Sequence, residues 1–168
     1  MGLGLFFFKA INREYYKSIP FGLLVLNFIV QRIFGVNREV PFSVNFTSRI
    51  KGYQWMKIHK SVWKSLTISN GLYIIAFHEG EISIGKNTII APNVVINNGN
   101  HDLIDRSIHH VKNISIGNNC WLAANVVILG GTKLGNNVTV AAGSVVNKAF
   151  PDNVVIGGVP AKVLKVLN

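Results

Sequence analysis

An aliphatic residue returns at every sixth position from Ile84 onward, with one interruption. Ile84, Ile90, Ile96, Ile116, Leu122, Ile128, Leu134, Val140 and Val146 hold the first place of successive hexads. The second place is mostly small: Gly85, Ala91, Gly117, Ala123, Gly135 and Ala141. The fifth is small or β-branched: Thr88, Val94, Cys120, Val126, Thr132, Val138 and Ser144. A fixed short period of this kind marks a repeat architecture and constrains the fold more than any other feature of the chain.

The period predicts a three-sided coil. Each hexad supplies one short strand and one corner, and three hexads complete a turn of a parallel β-helix. The aliphatic first place then points inward and stacks on its copy one turn later. Corner positions carry Asn87, Asn93, Asn119, Asn125, Gly130, Gly131, Asn137 and Gly143, residue types that accept positive φ at low cost. A helical fold is excluded by the period and by the density of Gly and β-branched residues.

At 168 residues and 49% hydrophobic, the chain is long enough for one domain with a real core. Its net charge of +10 favours anionic partners: membranes or phosphate-bearing ligands. Nucleic acid is not expected, because no nucleic-acid motif is present and the basic residues are not interleaved with aromatics along the repeat. Cys120 is the sole cysteine, so no internal disulfide forms and a reducing, cytoplasmic setting is expected. At the inward fifth place of its hexad it reads as a packing residue, not a nucleophile.

Residues 1–40 are expected to be a helical N-terminal cap and a candidate membrane-surface segment. The run Leu3 to Phe8 is too short for a secretory signal. Pro20 to Val36 reads as a helix, with Ser18 as cap and Gly35 as terminator. It is apolar nearly all round, with a narrow polar stripe of Asn27, Gln31 and Arg32, and is too short to span a bilayer. Lys9, Arg13, Lys17, Arg32 and Arg38 flank it, as a segment lying on a membrane surface would require. Residues 41–168 form the coil domain. Ile50, Ile58, Leu66 and Ile74, spaced by eight, predict early turns with extra corner residues. The segment Gly157 to Asn168 closes the far end after a Gly-Gly-Val-Pro turn.

The chemistry lies in the interruption, a loop over residues 100–113 containing His101, Asp102, Asp105, Arg106, His109 and His110. Loops on rigid scaffolds tend to carry function, and histidine is suited to accept a proton near neutral pH. One reading makes His101 a general base, with Asp102 or Glu79 fixing its tautomer. A second gathers His101, Asp105, His109 and His110 around a metal. For His109 and His110 a solvated loop without chemistry is the reading adopted.

The segment IGNNCWLAANVVILGGTKLGNNVTVAAGSVVNKAFPDNVVIGGVPAKVL resembles the hexapeptide-repeat acyltransferases of the left-handed β-helix type. With the PFSVNFTSRI lead-in and the NHD loop, the chain looks most like the O-acetyltransferases of capsular, O-antigen and exopolysaccharide synthesis. It is also similar to the galactoside and maltose O-acetyltransferases. The resemblance implies left-handed coiling, a homotrimer with sites between subunits, acetyl-CoA as donor and a sugar hydroxyl as acceptor, with no resident metal. It places His101 at the family's base. It assigns Trp121, Ala123, Ala124, Ala142, Asn147, Lys162 and Lys165 to the coenzyme, the backbone near Ala123 and Ala124 to the oxyanion, and the two lysines to the phosphates. Asn147 departs from a usual Thr, and Ala123-Ala124 from a usual Gly followed by Ser, Ala or Gly. The alternatives are an N-acyltransferase on an amino sugar or nucleotide sugar, or a non-catalytic or zinc-binding member of the fold.

Overall fold

The computed structural model describes residues 16–168. The run Leu3 to Phe8 and the flanking Lys9 and Arg13 lie outside the described residues. A helix, α1 (Phe21–Phe28), continues through a wider turn over Ile29–Ile33, where Phe34 N–H donates to Ile29 C=O at 3.2 Å. Gly35, at φ 77°, ends it as expected. The expected Ser18 cap is not made: Pro20 holds the N-cap position with no side-chain hydrogen bond, and its carbonyl accepts from Leu23 and Leu24.

The chain then winds through three sides in rotation. The first turn holds β1 (Arg49–Lys51), β2 (Met56–Ile58) and, on the third side, the short helix α2 (Trp63–Ile68). The second holds β3 (Tyr73–Ile75), β4 (Ile82–Ile84) and β5 (Ile89–Ile90). β6 (Val95–Asn97) opens the third turn and is followed by an outward hairpin of β7 (Gly99–His101) and β8 (His109–Val111). β9 (Ile114–Ile116) and β10 (Trp121–Leu122) complete that turn. β11 (Val127–Leu129), β12 (Lys133–Leu134) and β13 (Thr139–Val140) form the fourth. β14 (Val145–Val146), β15 (Ala149–Phe150) and β16 (Val154–Gly158) form the last, and β17 (Ala161–Val166) folds back on β16.

The sheets follow from this winding. β1, β3, β6, β11 and β14 pair in parallel on one side; β2, β4, β9, β12 and β15 on the second. On the third, β5, β10, β13 and β16 are parallel and β17 is antiparallel to β16. Register places each hexad's first residue on its copy: Ile50, Ile74, Ile96, Ile128 and Val146 in one column. Ile84, Ile116, Leu134 and Phe150 form the second column, and Ile90, Leu122, Val140 and Ile156 the third. All are buried, each worth ~1.5–3 kcal/mol against exposure. Cys120 is buried inward among them, as the fifth-place reading expects.

Spacing by eight does not hold at Leu66, which is buried on α2 and not on a strand. Ile50, Ile58 and Ile74 do lie on strands. Thr67 Oγ1 donates to the Trp63 carbonyl four residues back and to the Ser43 carbonyl, which ties the short helix to the lead-in segment. α2 replaces the first strand of the third sheet and covers the edge that β5 would otherwise expose: Ser69, just after it, donates to Ile90 C=O at 2.7 Å.

Two corner columns have different demands. At the corner after β4, β9 and β12 stand Gly85, Gly117 and Gly135. A Cβ on Gly85 would lie 2.6 Å from the Gly117 carbonyl carbon, and one on Gly117 would lie 2.6 Å from that of Gly135. At the corner after β5, β10 and β13 stand Ala91, Ala123 and Ala141, where a methyl fits. The second-place alternation of Gly and Ala in the sequence is this difference between corners. The asparagines expected at corners adopt positive φ, from 56° at Asn119 and Asn137 to 60° at Asn125. Asn37 and Asn153 do so as well, which the hexad count missed.

Candidate active site

The repeat's interruption is an ordered antiparallel hairpin, Gly99 opposite Val111 and His101 opposite His109. It leaves the coil at the corner between the first and second sheets. Asp102 builds its tip. One carboxylate oxygen accepts from the amides of Ile104 at 2.8 Å and Asp105 at 3.0 Å, and the other meets His110 Nε2 at 3.0 Å. Arg106 reaches back to the Asp102 carbonyl, and Asp105 receives both the amide and the hydroxyl of Ser107.

These bonds, that to His110 first and then the two amides, hold the Asp102 carboxyl down to about 2 from its usual 3.8. A depressed carboxyl stabilises the fold above its unfolded pKa, and the contribution is lost as pH falls through the folded value. Slow exchange of the Ile104 and Asp105 amides is therefore expected above about pH 4 and lost toward pH 2. Hydrogen exchange on Asp102→Asn should show no such acid step.

His101 ends β7 at the far end of the ladder, next to the tip. Its Nδ1 lies 2.7 Å from the Arg106 carbonyl. A carbonyl can only accept, so Nδ1 carries a proton, and in the neutral ring the lone pair is on Nε2. Asp102 and Glu79 do not fix this tautomer. Asp102 is engaged by His110, and Glu79 faces His78 at 3.7 Å. The backbone carbonyl replaces them because the turn between β7 and β8 folds Arg106 back over His101. The His109 ring stands edge-on to His101 with centroids 4.4 Å apart, and Phe77 backs His109 at 6.4 Å. Gly99 is needed for this wall: a Cβ there would lie 2.6 Å from Phe77 Cδ2. His109 is thus part of the setting of His101, a role the sequence did not signal.

His101, Asp102, Asn98, Asn100, His110 and Lys112 line one cleft of about 600 Å³. Of the four side chains read as a metal set, His101 and His109 come together, but among the described residues no group of three His, Cys, Asp or Glu could hold an ion.

The residues assigned to the coenzyme fall in three places. Trp121 is half exposed on β10, on the outer face of the third sheet. Ala124 and Ala142 stack in the next corner, where Gly143 N–H donates to Ala124 C=O at 2.9 Å. Asn147 sits at the hairpin's own corner, exposed, two turns beyond it. Lys162 and Lys165 lie on β17, opposite Gly157 and Val155. A bulge between Val155 and Ile156 brings these two lysines, three residues apart, to one face of the strand. The Ala123 N–H is not free for an oxyanion: it donates to Val140 C=O at 3.1 Å, leaving Ala124 as that corner's candidate. His101 and the Ala124–Ala142 column therefore stand at opposite edges of the first sheet in this chain. Cys120 is inert by position: burial raises its thiol pKa, and Sγ lies 3.2 Å from the Gly135 carbonyl.

Sequence comparison agrees with this architecture. Residues 113–148 match the family model described as bacterial transferase hexapeptide (six repeats). The putative acetyltransferase YvoF of Bacillus subtilis is 32% identical over 149 residues, 89% of this chain and 81% of that protein. The putative lipopolysaccharide biosynthesis O-acetyl transferase WbbJ of Escherichia coli is 38% identical over 144 residues, 77% of this chain and 73% of that protein. Among solved structures, a galactoside acetyltransferase in complex with coenzyme A superposes with a TM-score of 0.55 at 26% identity, covering 69% of this chain and 68% of that one. The chain belongs to the hexapeptide-repeat acetyltransferases. It spans about half the length of the galactoside O-acetyltransferases of Lactococcus lactis and Escherichia coli that it matches, 55% and 45%.

Proposed function

We propose that the protein transfers an acetyl group from acetyl-CoA to a hydroxyl of a sugar in a surface polysaccharide or its precursor. The observation that carries this reading is His101, with Nδ1 tied to a carbonyl and Nε2 left to take a proton beside a cleft. In the proposed step Nε2 removes the proton of the sugar hydroxyl, and that oxygen attacks the thioester carbonyl. The C–S bond then breaks, and the proton passes from His101 to the leaving thiolate. A backbone donor at the oxyanion is worth ~3 kcal/mol, and Ala124 is the candidate for it. No acyl-enzyme is needed.

The reading includes left-handed coiling and a homotrimer. Both rest on family membership, and the trimer also on the separation of His101 from the Ala124–Ala142 column. A neighbouring subunit's corner would bring the donor to His101. Asp102 keeps a part in the reading as the residue that folds the hairpin around His101. Trp121, Ala142 and Asn147 would line the donor groove, and Lys162 and Lys165 would meet the coenzyme phosphates. The acceptor class is supported by the name of the Escherichia coli relative. A cytoplasmic enzyme in peripheral contact with the inner membrane face would meet lipid-linked precursors there.

The lysine assignment has a direct test. Lys165→Glu should raise the KM for acetyl-CoA about tenfold at low salt and less at high salt, with kcat little changed. Dephospho-coenzyme A donors should lose their disadvantage in that variant. An unchanged KM makes Lys165 a solvated tail charge.

A further inference from the structure

α1 is polar on the side that faces the protein. Asn27 and Gln31 are buried, and their amides are fully used. Asn27 Nδ2 donates to Ser43 Oγ and Thr67 C=O, while Oδ1 accepts from Phe46 N–H at 2.9 Å. Gln31 Nε2 donates to the carbonyls of Asn37, Val40 and Phe42 at 2.9–3.1 Å, and its Oε1 accepts from Val44 N–H. Two side-chain amides tie the helix to the lead-in segment 37–46 and to Thr67 of α2, while Leu24 packs with Tyr16 and Ile19.

The opposite stripe, Gly22, Leu26, Ile29 and Ile33, runs at spacings of four, three and four. Ile33 is 66% exposed, Phe34 beside it 73% and Leu26 39%. This inverts a water-facing amphipathic helix, whose apolar stripe faces the core. Phe46, bonded through its amide to Asn27, and Ile68, whose carbonyl accepts from Asn45, extend the exposed apolar surface at the same end.

Charge is concentrated there as well. Residues 16–64 hold eight Lys and Arg against one carboxylate, Glu39, so they carry seven of the chain's ten net positive charges. Lys17 and Arg38 flank the helix, and Arg49 and Lys51 lie on the outermost strand of the first sheet. From Phe21 to Ile33 the helix measures ~20 Å against a ~30 Å hydrocarbon core. No helix among the described residues is long and apolar enough to cross a membrane.

We infer that α1 is a monotopic membrane contact: its outward stripe beds into a bilayer rich in anionic lipid, and the surrounding cations engage the headgroups. An apolar strip ringed by positive charge matches that surface in both of its components, whereas a second copy of this chain would bring like charge against like. The inference concerns the membrane contact in the reading above and does not depend on acetyl transfer.

Vesicle flotation tests it, with full-length protein and vesicles of phosphatidylglycerol and phosphatidylcholine or of phosphatidylcholine alone. The wild type should float with the anionic vesicles and be released by high salt. The double variant Ile33→Glu, Phe34→Glu, altered only at exposed positions, should lose at least about tenfold of the bound fraction. Its circular dichroism and light-scattering mass should match the wild type. CoA release from acetyl-CoA is followed in parallel: absent flotation with intact release overturns the membrane contact alone, and the converse overturns the enzymatic reading alone. Wild type that stays unbound at low salt overturns the inference. So does equal flotation of the double variant, or a change in its mass, which would make the stripe a contact between copies.

Discussion

Replacing His101 with alanine is expected to lower turnover about a hundredfold or more while acetyl-CoA still binds. The expectation rests on the geometry of one imidazole. The Arg106 carbonyl takes the Nδ1 proton at 2.7 Å, so every proton exchanged with substrate must pass through Nε2. Alanine removes that lone pair and leaves the coil, the hairpin bonds of Asp102 and the lysines of β17 in place. The loss should therefore appear in kcat and in kcat/KM alike, with the acetyl-CoA dissociation constant nearly unchanged in calorimetry. His109→Ala should be much milder, because His109 supports the ring at 4.4 Å and has no bond to its reacting nitrogen. Near-normal turnover in His101→Ala would remove the base from the mechanism.

The second large effect is on stability. Gly117→Ala is expected to lower the melting temperature by roughly 10 °C, as a cost of ~3 kcal/mol does in a chain of this size. The added methyl would meet the Gly135 carbonyl carbon at 2.6 Å, and both sides of the clash are backbone. Neither can move without parting two turns whose Gly117 N–H and Leu134 C=O are bonded at 3.0 Å. Gly143→Ala provides the contrast. Gly143 has φ 70° but nothing within 4 Å of a new Cβ, so only the ~1 kcal/mol of left-handed backbone strain applies. Its melting temperature should fall by about 3 °C. Equal shifts in the two variants would mean that the glycine column is not close-packed.

What was legible in the sequence is what the repeat enforces. A side chain that meets its own copy every turn leaves a periodic mark, so the three aliphatic columns and most of the positive-φ asparagines could be placed by counting. Asn153 escaped because Phe150 and Pro151 blur the last hexad, although Asn137 bonds it sixteen residues on. α2 escaped because a buried Leu66 satisfies the spacing on a helix as well as on a strand. The polar stripe of α1 could be seen, but not its direction: the backbone groups of residues 37–46 that hold Asn27 and Gln31 inward leave no mark in the sequence. His101 stood out as a histidine in the only interruption. Its orienting partner did not, since a backbone carbonyl has no sequence signature and the adjacent Asp102 is taken by His110, eight residues away.

Product analysis is the most direct test of the central claim, that a hydroxyl is acetylated from acetyl-CoA without a covalent enzyme intermediate. The enzyme would be incubated with acetyl-CoA labelled in the acetyl group and a panel of surface-glycan precursors, and the sugar products and intact protein weighed by mass spectrometry. The account predicts one labelled acetyl on an acceptor sugar, released by hydroxylamine as an ester is, with the protein unmodified and label transfer slowed about a hundredfold or more in His101→Ala. An alkali-stable amide on an amino sugar, or label retained on the protein, would contradict it.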